Sequence, residues 1–227
     1  YESITGQINL DYKKPDDIER YYFNAFQSSH FKTDLNANAA VQLSENLSTM
    51  LLAHTDFVTK TFDDNMDSFA DQPEVKQFNF MNRWNYHSFT GYDSQFGIQV
   101  INEQRNAGQI SELHSGTHSG NLYDINIDTE RYELYAKNGF VFNDEPYTSM
   151  GLILNGQYQN QNSLFGLRPY DSKLRSFYSK LIFEAKTADE VHAITLGGSY
   201  VFDQYEEEYN GIDFFRKESR PGIFVEY

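Results

Sequence analysis

The sequence divides into ten segments of strand length, and the connections between them alternate between short and long. We predict strands at 18–28, 34–43, 47–57, 76–87, 93–104, 130–140, 148–159, 173–186, 191–203 and 221–227. The connections at 44–46, 88–92, 141–147 and 187–190 are tight, whereas those at 58–75, 105–129, 160–172 and 204–220 are long, polar and mostly acidic. Transmembrane β-barrels have this rhythm, because their short turns and long loops lie on opposite sides of the membrane. The segmentation therefore predicts an all-β, antiparallel up-and-down transmembrane barrel.

Apolar and polar side chains alternate within these segments. Successive side chains of a strand point to opposite faces, so a barrel wall is apolar toward lipid and polar toward its lumen. A soluble antiparallel sheet with one wet face shows the same alternation, but strands of mostly ten to thirteen residues exceed the usual five or six. The predicted apolar faces are Leu35, Ala37, Ala39, Val41 and Leu43; Phe78, Phe80, Trp84 and Tyr86 (with Asn82); Phe96, Ile98 and Val100; Met150, Leu152, Leu154 and Tyr158; and Phe177, Leu181, Phe183 and Ala185.

Composition excludes several classes of function. The chain has 18 Lys and Arg against 33 Asp and Glu, a formal charge of −15, whereas nucleic-acid recognition needs a basic face. The absence of Cys excludes disulfides, cysteine metal sites and thiol catalysis. No stretch approaches 18 consecutive apolar residues, so the sequence predicts no transmembrane helix. The 17 Tyr and 19 Phe fit the aromatic rows of a bilayer interface at least as well as a soluble core.

The connection at 58–75 contains a candidate cation site. Counted from Asp63 as position 1, oxygen ligands fall at positions 1, 3, 5, 9 and 12, and a backbone carbonyl falls at position 7. This is the spacing of an EF-hand calcium loop. Position 6, where such loops favour glycine, is Ser68. The alternative to a calcium site is an ordinary solvated acidic loop. The predicted ligands of a structural Ca²⁺ are Asp63, Asn65, Asp67, the Phe69 carbonyl, Asp71 and Glu74.

Two histidines in the longest connection form a second, weaker candidate. His114 and His118 are four residues apart and could contact a substrate, haem or a transition metal, although flexible surface histidines are the simpler interpretation. No Gly-x-Ser-x-Gly, phosphate-binding loop, zinc-protease helix or Ser-His-Asp set is present, so we predict that the protein is not an enzyme.

The start of the chain resembles the end of the plug domain in TonB-dependent outer-membrane receptors, in which an apolar-Gly-x-Ile-Asn-apolar strand closes with Lys-Pro. The matching residues are Ile4-Thr5-Gly6-Gln7-Ile8-Asn9-Leu10 and Lys14-Pro15. The later run is similar to the barrel of these receptors in their Bacteroidota form, with Lys76-Gln77-Phe78-Asn79-Phe80-Met81-Asn82-Arg83-Trp84 and Gln95-Phe96-Gly97-Ile98.

The resemblance implies the domain organisation and the function. Residues 1–15 would be the final plug strand, and residues 16–227 the first part of a transmembrane barrel with about ten of a probable 22 strands. The parent receptor would sit in the outer membrane of a Gram-negative cell and import a siderophore, cobalamin, metal, haem or glycan with energy from TonB. Its partners would be TonB, reached through the plug, the nutrient and outer-membrane lipid. The rival hypothesis is a soluble, Ca²⁺-stabilised β-sheet module that binds carbohydrate.

Overall fold

A computed structural model describes residues 14–15, 19–110, 123–144, 147–187 and 191–227, and these form ten strands. The strands are β1 (Tyr21–Gln27), β2 (Lys32–Ser44), β3 (Leu47–Val58), β4 (Glu74–His87), β5 (Tyr92–Gly108), β6 (Asp124–Asp144), β7 (Tyr147–Phe165), β8 (Arg168–Lys186), β9 (Ala193–Tyr209) and β10 (Ile212–Glu226).

All ten strands belong to one sheet in which each strand pairs with its neighbour in sequence. The order runs from β1 to β10 without a crossover, and every pairing is antiparallel. The prediction of an all-β, antiparallel up-and-down sheet of ten strands is therefore confirmed. Within the described ranges there is no helix at all, and so none that is long and apolar enough to cross a membrane.

Two of the four predicted long loops are wrong. Residues 160–172 continue β7 and β8 around a turn at Gly166-Leu167, and residues 204–220 continue β9 and β10 around Asn210-Gly211. Gly166, Asn210 and Gly211 have φ angles of 63°, 51° and 81°, the left-handed conformation that tight hairpin turns require. Polarity suggested loops here, but the hydrogen-bond ladder runs on through these polar residues.

The apolar faces predicted for separate strands join into one surface. Trp84 pairs with Phe96, Phe96 with Ala136, and Ala136 with Leu154. Residues paired across an antiparallel ladder lie on the same face of the sheet. The register thus places every predicted apolar set on one side, which we call the apolar face, and leaves the opposite, polar face to residues such as Asn36.

Burial in this sheet is the reverse of that in a water-soluble domain. Leu134, Ile98 and Leu181 on the apolar face are 62%, 43% and 47% exposed. On the polar face, Ser48 and Arg83 are buried. Soluble proteins seldom expose a contiguous apolar surface of this kind, so the apolar face needs an apolar partner.

One contact on the polar face depends on a glycine. Tyr135 pairs with Gly97 across the β5–β6 ladder, and its hydroxyl accepts a hydrogen bond from Nε of Arg83 at 3.0 Å. A Cβ at position 97 would lie 2.6 Å from the backbone oxygen of Asn82 and 2.9 Å from the Tyr135 ring. Glycine is therefore required for this close approach of ring and backbone.

We expect Gly97→Ala to destabilise the folded sheet by about 1–3 kcal/mol, because the added methyl group clashes with backbone that cannot move alone. Gly156→Ala is the matched control, since a Cβ there meets nothing within 4 Å. Thermal unfolding in detergent micelles measures both. Equal midpoints for the two variants would contradict the close packing at Gly97.

Candidate functional site

The acidic loop joins β3 to β4 and is organised by hydrogen bonds from its own backbone. The two carboxylate oxygens of Asp63 accept the N–H groups of Asp67 and Ser68 at 3.0 and 2.8 Å. Oδ1 of Asn65 accepts the same N–H of Asp67 at 3.1 Å, and Oδ1 of Asp67 accepts that of Phe69 at 2.8 Å. The side chains at predicted ligand positions 1, 3 and 5 therefore hold the first half of the loop.

The remaining predicted ligands bind other parts of the same loop. Oδ2 of Asp71 accepts the N–H of Asp64 at 2.7 Å, and Oε1 of Glu74, the first residue of β4, accepts the Thr61 hydroxyl at 3.0 Å. Ser68 has a φ of 70°, so it adopts the left-handed conformation for which glycine is usual. Across the described residues, no group of three or more His, Asp or Glu side chains forms a preassembled metal site. Calcium binding stays a prediction.

The loop also bridges neighbouring connections. Phe69 forms an isolated antiparallel bridge with Gln109, and Ala70 N donates to the carbonyl of Gly108 at 2.9 Å. On the other side, Phe62 packs against His30 in the β1–β2 turn, with ring centroids 5.3 Å apart. The acidic loop thus connects that turn to the end of β5.

The predicted histidine pair lies elsewhere. His114 and His118 fall outside the described residues, so their role stays a prediction. His54, on β3, contacts the Asn36 amide oxygen through Nδ1 at 2.8 Å on the polar face. This side chain belongs to a hydrogen-bonded network across neighbouring strands.

That network of polar side chains extends over the polar face. Nε2 of Gln99 donates to Asn79 at 3.0 Å, and Nδ2 of Asn155 donates to Glu133 at 2.7 Å. Arg131 also donates to Glu133, at 2.6 Å. Such a surface is suited to water or to polar ligand groups, because its donors and acceptors are already arranged in pairs.

Charged residues concentrate where β8 and β9 extend past the apolar part of the sheet. The hydrogen bond from the Tyr170 hydroxyl to Glu207, 2.6 Å long, raises the pKa of that phenol above its ordinary value. Hydrogen bonding from Gln204, together with the positive charge of Arg175, lowers the pKa of the exposed Glu206. The acidic run that includes Glu206 and Glu207 is therefore part of a strand with partners on both sides.

The apolar face ends at a sharp border. On each strand from β4 to β10, the apolar run on this face ends at a residue whose same-face neighbour, two positions farther from the short turns, is polar or charged; beyond the border, Leu164 and Phe215 are isolated apolar residues on this face. The border pairs are Phe78 and Lys76, Val100 and Asn102, Tyr132 and Glu130, Tyr158 and Asn160, Phe177 and Arg175, Phe202 and Gln204, and Pro221 and Ser219. We call the apolar surface between this border and the short turns the apolar belt. It spans nine residues on β4 to β9, for example 150–158 on β7 and 194–202 on β9, and β10 contributes Pro221, Ile223 and Val225 to it.

The border runs obliquely to the hydrogen-bond direction. Phe78 pairs with Asn102, Tyr158 with Arg175, and Phe202 with Ser219. At each of these three strand pairs, going from β4 to β10, the border therefore moves two residues toward the short turns. A total shift of about six residues over six strand spacings corresponds to a tilt of about 35°, taking about 3.3 Å per residue and about 4.8 Å per strand.

Aromatic rings line both edges of the apolar belt. At the border, the rings of Tyr132 and Tyr158 are stacked with centroids 6.5 Å apart. Near the short turns, Tyr92 lies between Tyr86 and Phe140, with centroid distances of 5.9 and 4.7 Å. Amphipathic rings in two rows are typical of the two interfaces of a membrane.

Asn82 and Asn138, two amide side chains inside the belt, have hydrogen-bond partners. The Asn82 amide accepts the Trp84 indole N–H at 2.6 Å and donates to the Thr49 hydroxyl at 3.0 Å. Asn138 accepts from the hydroxyls of Tyr92 and Ser94 at 2.8 and 2.9 Å. Paired in this way, these groups can lie in an apolar medium at a low cost.

Comparison with protein-family models and with curated proteins gives no match for this chain.

Proposed function

We propose that the sheet is part of the wall of an outer-membrane barrel and that the apolar belt faces lipid. The belt is the observation that supports this proposal. Its nine-residue span agrees with the 9–11 residues of a tilted membrane-crossing strand, and its oblique border agrees with a tilt of about 35–45°. In this arrangement the polar face lines the lumen, and the ends of the strands beyond the border project from the membrane.

The activity we propose is that of a TonB-dependent receptor, which binds an extracellular siderophore, cobalamin, metal, haem or glycan and imports it with energy from TonB. The resemblance of Ile4–Leu10 and Lys14-Pro15 to a plug end supports this assignment, as does the polar, hydrogen-bonding face. TonB would act through the plug, and the barrel would catalyse no reaction. The cell outer membrane would be the site of action.

We also propose that the acidic loop binds one structural Ca²⁺. The alternating oxygens of Asp63, Asn65 and Asp67, the left-handed Ser68 and the five carboxylates of the loop support this. The ion would reduce repulsion among the carboxylates and stabilise the contact between the loop and Gln109.

An arginine in the middle of the belt is expected to be costly. Leu152→Arg should make folding into lipid less favourable by about 2–4 kcal/mol, because it places a charge in the hydrocarbon region. Asn160→Arg, on the same face of β7 but past the border, should have little effect. Urea titrations of protein folded into phosphatidylcholine vesicles compare the two. Equal costs would show that the belt does not face lipid.

Import is tested in cells that contain or lack the full-length receptor. Uptake of a labelled ferric siderophore, cobalamin, haem and a maltooligosaccharide is measured with and without a protonophore. One probe should accumulate only in cells with the receptor, and the protonophore should abolish the difference, because TonB draws on the inner-membrane proton gradient. Receptor-dependent uptake that persists with the protonophore would contradict energised import.

Calorimetry of the full-length protein tests the calcium site. We expect a dissociation constant of about 10⁻⁴–10⁻³ M, with Mg²⁺ a poor substitute because it needs a tighter octahedron. Asp67→Ala and Glu74→Ala should abolish the calcium heat, whereas Asp64→Ala, at a position that contributes no ligand, should retain it. An absence of heat in the wild type, or equal heat in all variants, would leave the loop as an ordinary acidic connection.

A further inference from the structure

The polar face carries a depression on β2, β3 and β4, completed by one side chain of β5. Its volume is about 370 Å³, at the lower end of the range of about 300–1,000 Å³ found for small-molecule sites. We call it the amide pocket. Its polar lining consists of the side chains of Asn36, Asn38, Asn79 and Gln99 with the imidazole of His54.

The amide pocket lies below the height of the border. Asn79 follows directly after Phe78, the border residue of β4, and Arg83 at the other end of the pocket lies four residues nearer the short turns. The pocket therefore extends from the height of the border toward the middle of the belt, on the opposite face of the same strands.

Hydrogen bonds hold the polar lining in place and leave part of it for a ligand. Nε2 of Gln99 donates to Oδ1 of Asn79 at 3.0 Å, and Nδ1 of His54 contacts Oδ1 of Asn36 at 2.8 Å. Among the described residues, these bonds leave the amide nitrogen of Asn79 and the amide oxygen of Gln99 for a ligand. A donor on β4 and an acceptor on β5 thus lie close together, because the two side chains already touch.

The floor of the amide pocket is apolar. Leu52 and Met81 pair across the β3–β4 ladder, and Met50, the next residue on the same face of β3, is buried. An apolar floor beneath a few fixed polar groups is the usual composition of a small-molecule site. The two methionines can also adjust to the shape of a ligand, because their side chains are unbranched and flexible.

The charge of the lining restricts the ligand. No carboxylate is found among the described residues that line the pocket, and its one permanently charged side chain, Arg83, donates to the Tyr135 hydroxyl at 3.0 Å. An anionic siderophore or the carboxylates of haem would find no set of cations here, and a metal ion would find one imidazole. The electrostatics of the pocket therefore favour an uncharged polar ligand.

We propose that the amide pocket binds a sugar ring of a neutral oligosaccharide on its way through the lumen. The inference rests on the proposed function, because it takes the polar face as the lumen wall, and it selects the neutral glycan among the nutrients named there. Each hydroxyl group of a pyranose both donates and accepts. Neighbouring hydroxyl groups can therefore bind the Asn79 nitrogen and the Gln99 oxygen together, while the C–H groups of the ring lie against Leu52 and Met81.

Binding of trisaccharides to the full-length receptor provides the test. The protein, labelled with ¹³C at its methionine methyl groups, is kept in lauryldimethylamine oxide micelles, because this detergent carries no sugar. It is titrated with maltotriose, xylotriose and mannotriose, and with trigalacturonate as an anionic comparison. At least one neutral trisaccharide should bind saturably and shift the Met81 methyl signal, which is identified by its loss in Met81→Leu. Trigalacturonate should leave this signal unchanged.

Removing the polar groups of the pocket should weaken this binding. Gln99→Leu and Asn79→Leu should each raise the dissociation constant about tenfold, because each removes a hydrogen-bonding group from the ligand site. Either variant can replace the other if one does not fold. Gln157→Leu is the matched control. Gln99 and Gln157 both pair with Glu133 on the polar face, but Gln157 lies outside the pocket, so its loss should not change the affinity.

The outcomes separate this inference from the proposed function. Equal affinity in Gln99→Leu, Asn79→Leu and Gln157→Leu, or binding without a shift of the Met81 signal, would overturn the amide pocket and leave glycan import standing. Trigalacturonate that binds as tightly as the neutral sugars would overturn the neutral class. If no trisaccharide binds, the inference is wrong, while energised uptake of a ferric siderophore, cobalamin or haem would still support the receptor. No receptor-dependent uptake of any probe would contradict both.

Discussion

The hydrogen-bond register of the sheet is the constraint on which the other features depend. Side chains alternate along each strand, so the register between neighbours decides whether ten separate apolar sets form one surface or ten fragments. Here the ladder carries Trp84, Phe96, Ala136 and Leu154 onto the same face. A slip of one residue at a strand would turn its apolar set to the polar face and its polar set to the apolar face. The belt, its border and the polar face all follow from this agreement.

Much of the fold could be predicted because its signals are local. Alternation in 34–43 and 148–159 correctly identified both the strands and the faces of β2 and β7. The strand ends at 160–172 and 204–220 were predicted wrongly, because polar residues on both faces were interpreted as loop. In the structure these residues continue the strands past the border, where both faces of the sheet can be exposed to water. Asn210-Gly211 was the available signal, since this pair favours a two-residue hairpin turn.

The candidate sites were less predictable, because they depend on contacts between distant residues. The ligand spacing from Asp63 to Glu74 identified the loop, but not its bridge from Phe69 to Gln109 or its packing on His30. The oblique border appears only when the border residues of seven strands are aligned by their pairing.

The reversed burial has a consequence for how such a chain reaches its final state. In the described part of the chain the buried aliphatic and Met side chains are Ala40, Met50, Val58 and Val75, too few for collapse in water to drive folding. In the proposed membrane location, the lipid that covers the belt supplies the apolar contacts that an interior supplies in most proteins. Until then the aromatic segments of the nascent chain would stick to one another. A charge of −15, spread along the sequence, opposes that association and keeps the unfolded chain dispersed until it folds.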